Sequence, residues 1–294
     1  MDGRIVKGIA GFYYVYATDG ILYACKARGI FRNKKITPLV GDRVSFTITD
    51  DIDKEGSIDS IYPRQNSLIR PAVANVDQAV VFFARNNPVP DMGLVDRLLI
   101  TMEKMSITPI LVFNKSDLEQ SPGLDLDEEK RGFIAAGYPV YDICVKTGEG
   151  VEAVKEALRG HTTTLAGPSG AGKSSFINLV CPDAGMETGE VSDRLGRGRH
   201  TTRHAQIFVV DPDSFIVDTP GFSSYDLMDI KPEELGGMYP EFAEFISGCR
   251  FSGCSHTHEP DCAVRTAVEQ GDIPEYRYNR YVRFYEDLKA AKKY

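Results

Sequence analysis

The chain has 294 residues, 42% hydrophobic and 26% charged, a balance that folds and excludes wholesale disorder. With 34 basic and 42 acidic residues the net charge is −8, so any nucleic-acid contact has to come from local patches. No apolar run reaches the ~18 residues of a membrane helix, and residues 8–17 lack the small-residue cleavage site of a leader, so neither is expected.

Runs at 4–10, 12–17, 21–26, 43–48 and 57–62, broken by turn signals such as Asp19-Gly20 and Gly41-Asp42, predict short strands closing a small barrel over residues 1–66. Between residues 26 and 43, Lys26, Arg28, Arg32, Lys34, Lys35 and Arg43 face Asp42 alone. With Tyr23 and Phe31 nearby, this is a candidate nucleic-acid face, the alternative being a solvated rim. From about residue 71 the runs at 79–84, 109–113, 139–143, 163–166, 206–210 and 214–217 read as buried strands. Leu94, Leu98, Met102 and Met105 share one helical face, 127–136 is a helix closed by Gly137, and 151–158 is another. This alternation predicts a parallel α/β sheet over residues 67–228 with ligands at the carboxyl edge of its strands. Residues 229–294 turn helical and Cys/His-rich. At their end Tyr278, Tyr281, Val282, Tyr285 and Leu288 form a packing stripe, while Arg277, Arg280, Arg283, Lys289, Lys292 and Lys293 offer a basic face for RNA.

Gly167-Pro168-Ser169-Gly170-Ala171-Gly172-Lys173-Ser174 matches G-x-x-x-x-G-K-[ST], follows the run 163–166 and opens a helix at Ser174. Backbone N–H groups of this loop, Ser175 included, would cradle phosphates at a helix N-terminus. Lys173 would reach the β/γ-phosphates, and the Ser174 hydroxyl would ligate Mg²⁺. Asn114-Lys115-Ser116-Asp117 follows the run 109–113. The Asp117 carboxylate suits the N1–H and 2-amino donors of guanine, which adenine lacks. Asn114 would bond the base edge or brace the phosphate loop, and the Lys115 stem would cover the purine face. Of three D-x-x-G tetrads, only Asp218–Gly221 ends an apolar strand. Asp218 would hold Mg²⁺ through water, and the Gly221 N–H would sense the γ-phosphate. Thr202, with Thr201 second, is the expected Mg²⁺-ligating threonine. Cys144-Val145-Lys146 follows the run 139–143 and looks like the fifth guanine-nucleotide element, whose backbone N–H groups meet guanine O6 whatever the first two side chains. The motif order is permuted: N-K-x-D and its follower come before the phosphate loop, the threonine and D-x-x-G. Loops at one sheet edge assemble in any chain order if the joined termini lie close.

Cys25, Cys144 and Cys181 stand singly among apolar residues and read as buried small side chains. Cys249, Cys254, His256 and Cys262 give a closed Cys₃His set for structural Zn²⁺, with His258 as the rival fourth ligand.

Together these motifs resemble the RsgA family, circularly permuted GTPases of small ribosomal subunit biogenesis, over nearly the whole chain. The resemblance implies an α/β P-loop GTPase core with a circularly permuted parallel sheet, an N-terminal OB-fold β-barrel and a C-terminal helical zinc-binding domain. It further implies GTP and GDP as ligands with Mg²⁺ and structural Zn²⁺. Binding to the 30S subunit and its rRNA late in maturation is implied too, with hydrolysis stimulated by the subunit, in the cytoplasm, by a chain monomeric off the ribosome. Phe222 stands where other GTPases carry the water-positioning Gln, and the resemblance suggests His200 as the catalytic candidate. The competing readings are a P-loop ATPase or kinase, which Asp117 disfavours, and an RNA-binding adaptor with nucleotide-gated binding and little turnover.

Overall fold

The computed structural model describes residues 1–29, 31, 36–68, 72–185, 206–218 and 230–291. Five strands open the chain: β1 (Asp2–Ile9), β2 (Phe12–Ala17), β3 (Leu22–Ala27), β4 (Arg43–Asp50) and β5 (Glu55–Ile61). They pair in the order β1-β2-β3-β5-β4, and β4 returns to β1 to close the barrel. Inward residues alternate along each strand, so Ile5, Val15, Tyr23, Cys25, Val44, Phe46 and Ile58 fill the interior. Tyr23 and Phe31 are only 2% and 7% exposed, which removes both rings from the expected nucleic-acid face and makes them core. Arg28 is spent on Asp59 at 2.8 Å, and buried Asp42 holds Arg64 through both carboxylate oxygens.

A short hairpin, β6 (Ser67–Leu68) and β7 (Val73–Ala74), leads into the second sheet. Its strands are β8 (Gln78–Ala84), β9 (Thr108–Asn114), β10 (Val140–Asp142), β11 (Thr162–Ala166), β12 (Gln206–Asp211) and β13 (Ser214–Asp218), ordered β10-β9-β8-β11-β13-β12. The first five in that order run parallel. Strand β12 departs from the expected parallel arrangement: it is antiparallel to β13 because only Pro212 and Asp213 separate the two, and a two-residue link forces a hairpin.

Helices cover both faces. Helix α1 (Met92–Met105), capped by Asp91, and α2 (Leu126–Ala135) pack against Val81, Phe83, Leu111 and Phe113. On the other face α3 (Val151–Ala157) and α4 (Lys173–Val180) pack against Val80, Phe82, Ile110 and Val112. The period-2 split of β8 and β9 between two cores explains why both read as continuous apolar runs.

The open edge of β12 is covered by the barrel: Lys7 pairs with Gln206, making one continuous eleven-stranded sheet. Arg4 reinforces the joint by donating to Thr162 Oγ1 and lying 4.3 Å from the centroid of the Phe215 ring.

The last part contains α5 (Ala243–Ile246), α6 (Ala263–Gln270) and α7 (Glu275–Ala291) around a third core of Leu235, Tyr239, Phe242, Val264, Tyr281, Phe284 and Leu288. The aromatic stripe of α7 packs inward as expected, but two arginines of its expected basic face turn inward with it. Arg277, 2% exposed, donates to Asp96 of α1 and to Glu241, the latter at 2.7 Å. Arg280 bonds Asp96 at 2.6 Å and grips Glu129 of α2 with both terminal nitrogens at 2.7 and 2.8 Å. These arginines fasten α7 to two helices of the central sheet. Arg283 and Lys289 of the expected basic face stay exposed, beside Glu286 and Asp287, while Lys292 and Lys293 lie outside the described residues.

Candidate functional site

The phosphate loop runs from β11 into α4 and depends on glycine at both ends. Gly167 has φ +139°, and a Cβ there would overlap the Phe82 carbonyl. Gly172, at φ +107°, caps α4 and leaves no room for a Cβ beside the Asn114 amide. Lys173 folds back over the loop and donates to the Gly167 and Pro168 carbonyls, each at 2.7 Å. Burial lowers its pKa, and the nearby charge of Asp218, at the end of β13, opposes that shift. Thus the lysine of one motif and the aspartate of another, 45 residues apart in the chain, meet at one sheet edge.

Asn114 resolves the choice left open by the sequence. Its Nδ2 donates to the Ala171 carbonyl at 2.8 Å, and its Oδ1 accepts from the Val145 N–H at 3.0 Å. It therefore braces the phosphate loop and the loop after β10, and the Val145 N–H expected at guanine O6 is already committed. The Cys144 side chain is buried, as its apolar setting predicts, and it also makes a polar contact. Its thiol donates to Asp117 Oδ1 at 3.3 Å.

A cavity of about 600 Å³ opens at this edge. Asn114, Lys115, Asp117, Cys144, Val145, Lys146, Gly172 and Ser175 line it, gathering three of the predicted motifs. Four more lining residues carried no motif signal: Asn87, Leu118, Asn178 and Leu179. Asn178 and Leu179 were reachable by helical spacing, three and four positions after Ser175. Leu118 and Leu179 are 37% and 44% exposed, apolar surface of the kind a planar base covers. His200, Thr201, Thr202, Gly221 and Phe222 lie outside the described residues.

At the far end of the chain, one donor atom from each of Cys249, Cys254, His256 and Cys262 falls within 4.8 Å of the others. The Cys249–Cys262 sulfurs are 3.9 Å apart, and His256 Nδ1 lies 3.6 and 3.4 Å from Cys249 and Cys262. A tetrahedron with Zn–S of ~2.3 Å and Zn–N of ~2.1 Å has edges of about 3.5–3.8 Å, so this set fits zinc. His258 turns outward and meets Thr257 at 2.8 Å, so it is not part of the cluster. Tyr278 and Tyr281 donate to the His256 and Ser255 carbonyls at 2.8 and 2.7 Å, fixing the loop to α7.

Among the described residues no helix is long and apolar enough to cross a membrane. The RsgA N-terminal domain model matches residues 2–58 and the RsgA GTPase model residues 61–228. The small ribosomal subunit biogenesis GTPase RsgA of Agathobacter rectalis is 48% identical over 304 residues, covering 100% of both chains. Its counterpart in Alkaliphilus metalliredigens is 44% identical over 99% of each. Among solved structures, YloQ, described as a circularly permuted GTPase, superposes with a TM-score of 0.82 at 36% identity, covering 98% of this chain and 95% of the other. YjeQ from Thermotoga maritima gives 0.82 at 35% identity over 98% of each chain. A family model spanning more than half the sequence, and relatives matched from end to end, place this chain in the RsgA GTPase family.

Proposed function

We propose that this protein, a GTP hydrolase by family, acts on the small ribosomal subunit late in its maturation, and that subunit contact stimulates its turnover. The observation that carries the nucleotide reading is the cavity where Asn114, Lys115 and Asp117 meet Cys144, Val145 and Lys146 and the phosphate-loop residues Gly172 and Ser175. Asp117 reads guanine N1–H and the 2-amino group. Lys146, whose backbone follows the committed Val145 N–H, faces O6. The N–H groups of residues 167–175 and the Lys173 ammonium hold the phosphates, and Ser174, Thr202 and water on Asp218 hold the Mg²⁺ that neutralises them. Gly221 senses the γ-phosphate. His200 serves the attacking water in place of the ring of Phe222, which cannot orient it. The divisions near residues 66 and 228 separate the barrel, the permuted nucleotide domain and a zinc domain held by Cys249, Cys254, His256 and Cys262. A cytoplasmic chain, monomeric off the ribosome, fits this role.

RNA contact rests on the basic stretch between residues 26 and 43, on Arg194, Arg197, Arg199 and Arg203, and on Arg283, Lys289, Lys292 and Lys293 at the end of the chain; of these, Arg32, Lys34, Lys35, the four arginines of 194–203 and the last two lysines lie outside the described residues. The deciding experiment is GTP turnover with and without purified 30S subunits. Stimulation of at least tenfold is expected, weakening as salt rises because phosphate contacts are screened. Equal rates would favour the adaptor reading.

Asp117→Asn is expected to exchange guanine for xanthine preference, since an amide donor suits the xanthine 2-carbonyl. Competition of XTP against GTP measures it, and unchanged preference would take Asp117 off the base. Purified protein is expected to carry one zinc per chain by metal analysis. Cys254→Ser should lose that metal and loosen the third core while GDP affinity stays within twofold, because the ligands lie outside the nucleotide cavity.

A further inference from the structure

The loop after β8 belongs to none of the nucleotide motifs, yet three consecutive residues of it hold the guanine-reading loop. The Arg85 N–H donates to the Asn114 carbonyl at 2.7 Å. The Asn86 side-chain amide donates to the Glu119 carbonyl at 3.1 Å. The Asn87 carbonyl accepts from Lys115 Nζ, and Asn87 itself lines the cavity. These contacts fall at residues 114, 115 and 119 and so bracket Asp117 on both sides. Asn86 also shapes the clasp internally, because its Oδ1 accepts the Asn87 N–H at 2.8 Å. That bond holds Asn87 at φ +48°, a conformation Asn tolerates better than most residues.

We infer that residues 85–87 form a clasp on the base-reading loop, with Asn86 as a positioning residue for guanine recognition and the Asn87 carbonyl as the anchor of Lys115. Lys115 takes a left-handed backbone, φ +63°, and without a fixed end its long stem samples many rotamers. Tethering Nζ to the loop lays the stem along the cavity wall, where it covers a purine face. Bonding Asn86 to Glu119 limits how far Asp117, an exposed residue, drifts from the base edge. Asn86 touches no nucleotide; it acts through Asp117 and Lys115.

The inference rests on the guanine-site reading above, and the test separates the two. Release and equilibrium binding of GDP and of inosine diphosphate, which lacks the 2-amino group, are measured for wild type and Asn86→Ala. Wild type should prefer GDP; equal affinities there would overturn the guanine reading itself. Asn86→Ala loses two hydrogen bonds, so GDP release should quicken about tenfold and the GDP-to-IDP preference shrink by a similar factor. KM for GTP should rise in step, with kcat at saturation unchanged. Asn86→Asp keeps the bond to the Asn87 N–H and loses the donor to Glu119, so it should fall between the two. Should Asn86→Ala fail to fold, Lys115→Met severs the clasp from the other side while keeping an apolar stem, and the same faster release is expected. Wild-type release and preference in the folded Asn86→Ala protein, or wild-type release in Lys115→Met, would overturn the clasp.

Discussion

Lys173→Ala is expected to lower GTP turnover by about a hundredfold or more and to leave the stability of the unliganded protein nearly unchanged. The two halves have one cause. Without nucleotide the ammonium donates to the Gly167 and Pro168 carbonyls of its own loop, neutral acceptors, and feels the charge of Asp218 from nearby. With nucleotide the same ammonium would stand against a cluster of negative oxygens in a partly desolvated site, where charge interactions are strong. Burial lowers the Lys173 pKa in the free protein, and phosphate would raise it again. Nucleotide affinity should therefore fall as pH climbs into the lysine range, and that decline should vanish in the variant. Isothermal titration across pH, beside thermal melting of the apo form, reads both. Wild-type turnover in Lys173→Ala would remove the lysine from the chemistry.

Arg277→Ala is expected to cost about 3–5 kcal/mol and to release α7 from the central sheet. The guanidinium is paired with Asp96 and Glu241 and lies 4.9 and 5.0 Å from the ring centroids of Phe133 and Tyr239. Removing it leaves Glu241 a buried carboxylate with no cation and strips two rings of their partner. Arg277→Lys should recover only part of the loss, because a single ammonium cannot serve two carboxylates in the fork geometry. Hydrogen exchange along α7 measures the effect locally, which matters in a chain of several cores. Unchanged protection of α7 would show that Arg280 alone suffices to hold it.

These cases mark where sequence reasoning reached and where it stopped. Motifs whose chemistry needs fixed spacing, such as residues 167–174 and 114–117, were legible because backbone geometry dictates the spacing. Arg277 and Arg280 read as part of an RNA face in the sequence because their partners Asp96, Glu129 and Glu241 lie 36 to 184 residues away in the chain. A sum of charges over one helix cannot see them. The antiparallel β12 was in principle legible, since the two-residue Pro212-Asp213 link forbids a parallel crossover. The burial of Cys144 is legible from its apolar neighbours, whereas the Asp117 carboxylate beside its thiol is visible only in the geometry. Asn86 and Asn87 gave no signal, because a loop that acts by gripping another loop has no fixed spacing to it.

The joint between barrel and sheet has a consequence for how the chain is made. Barrel strands β1 to β5 pair within the first 61 residues and can close soon after they leave the ribosome. Arg4, however, finds its partner Thr162 only 158 residues later. Synthesis at ~5–20 residues per second puts roughly 8–30 s between the making of Arg4 and that of Thr162. Throughout that interval the part of β1 around Lys7, beyond the stretch paired by β4, stays open and a cation destined for burial stays in water. That charge and the polar Lys7 beside it discourage premature pairing of the edge with other nascent chains. Only when residues 206–218 emerge does the edge gain its strand, so docking of the barrel is a late step of biosynthesis.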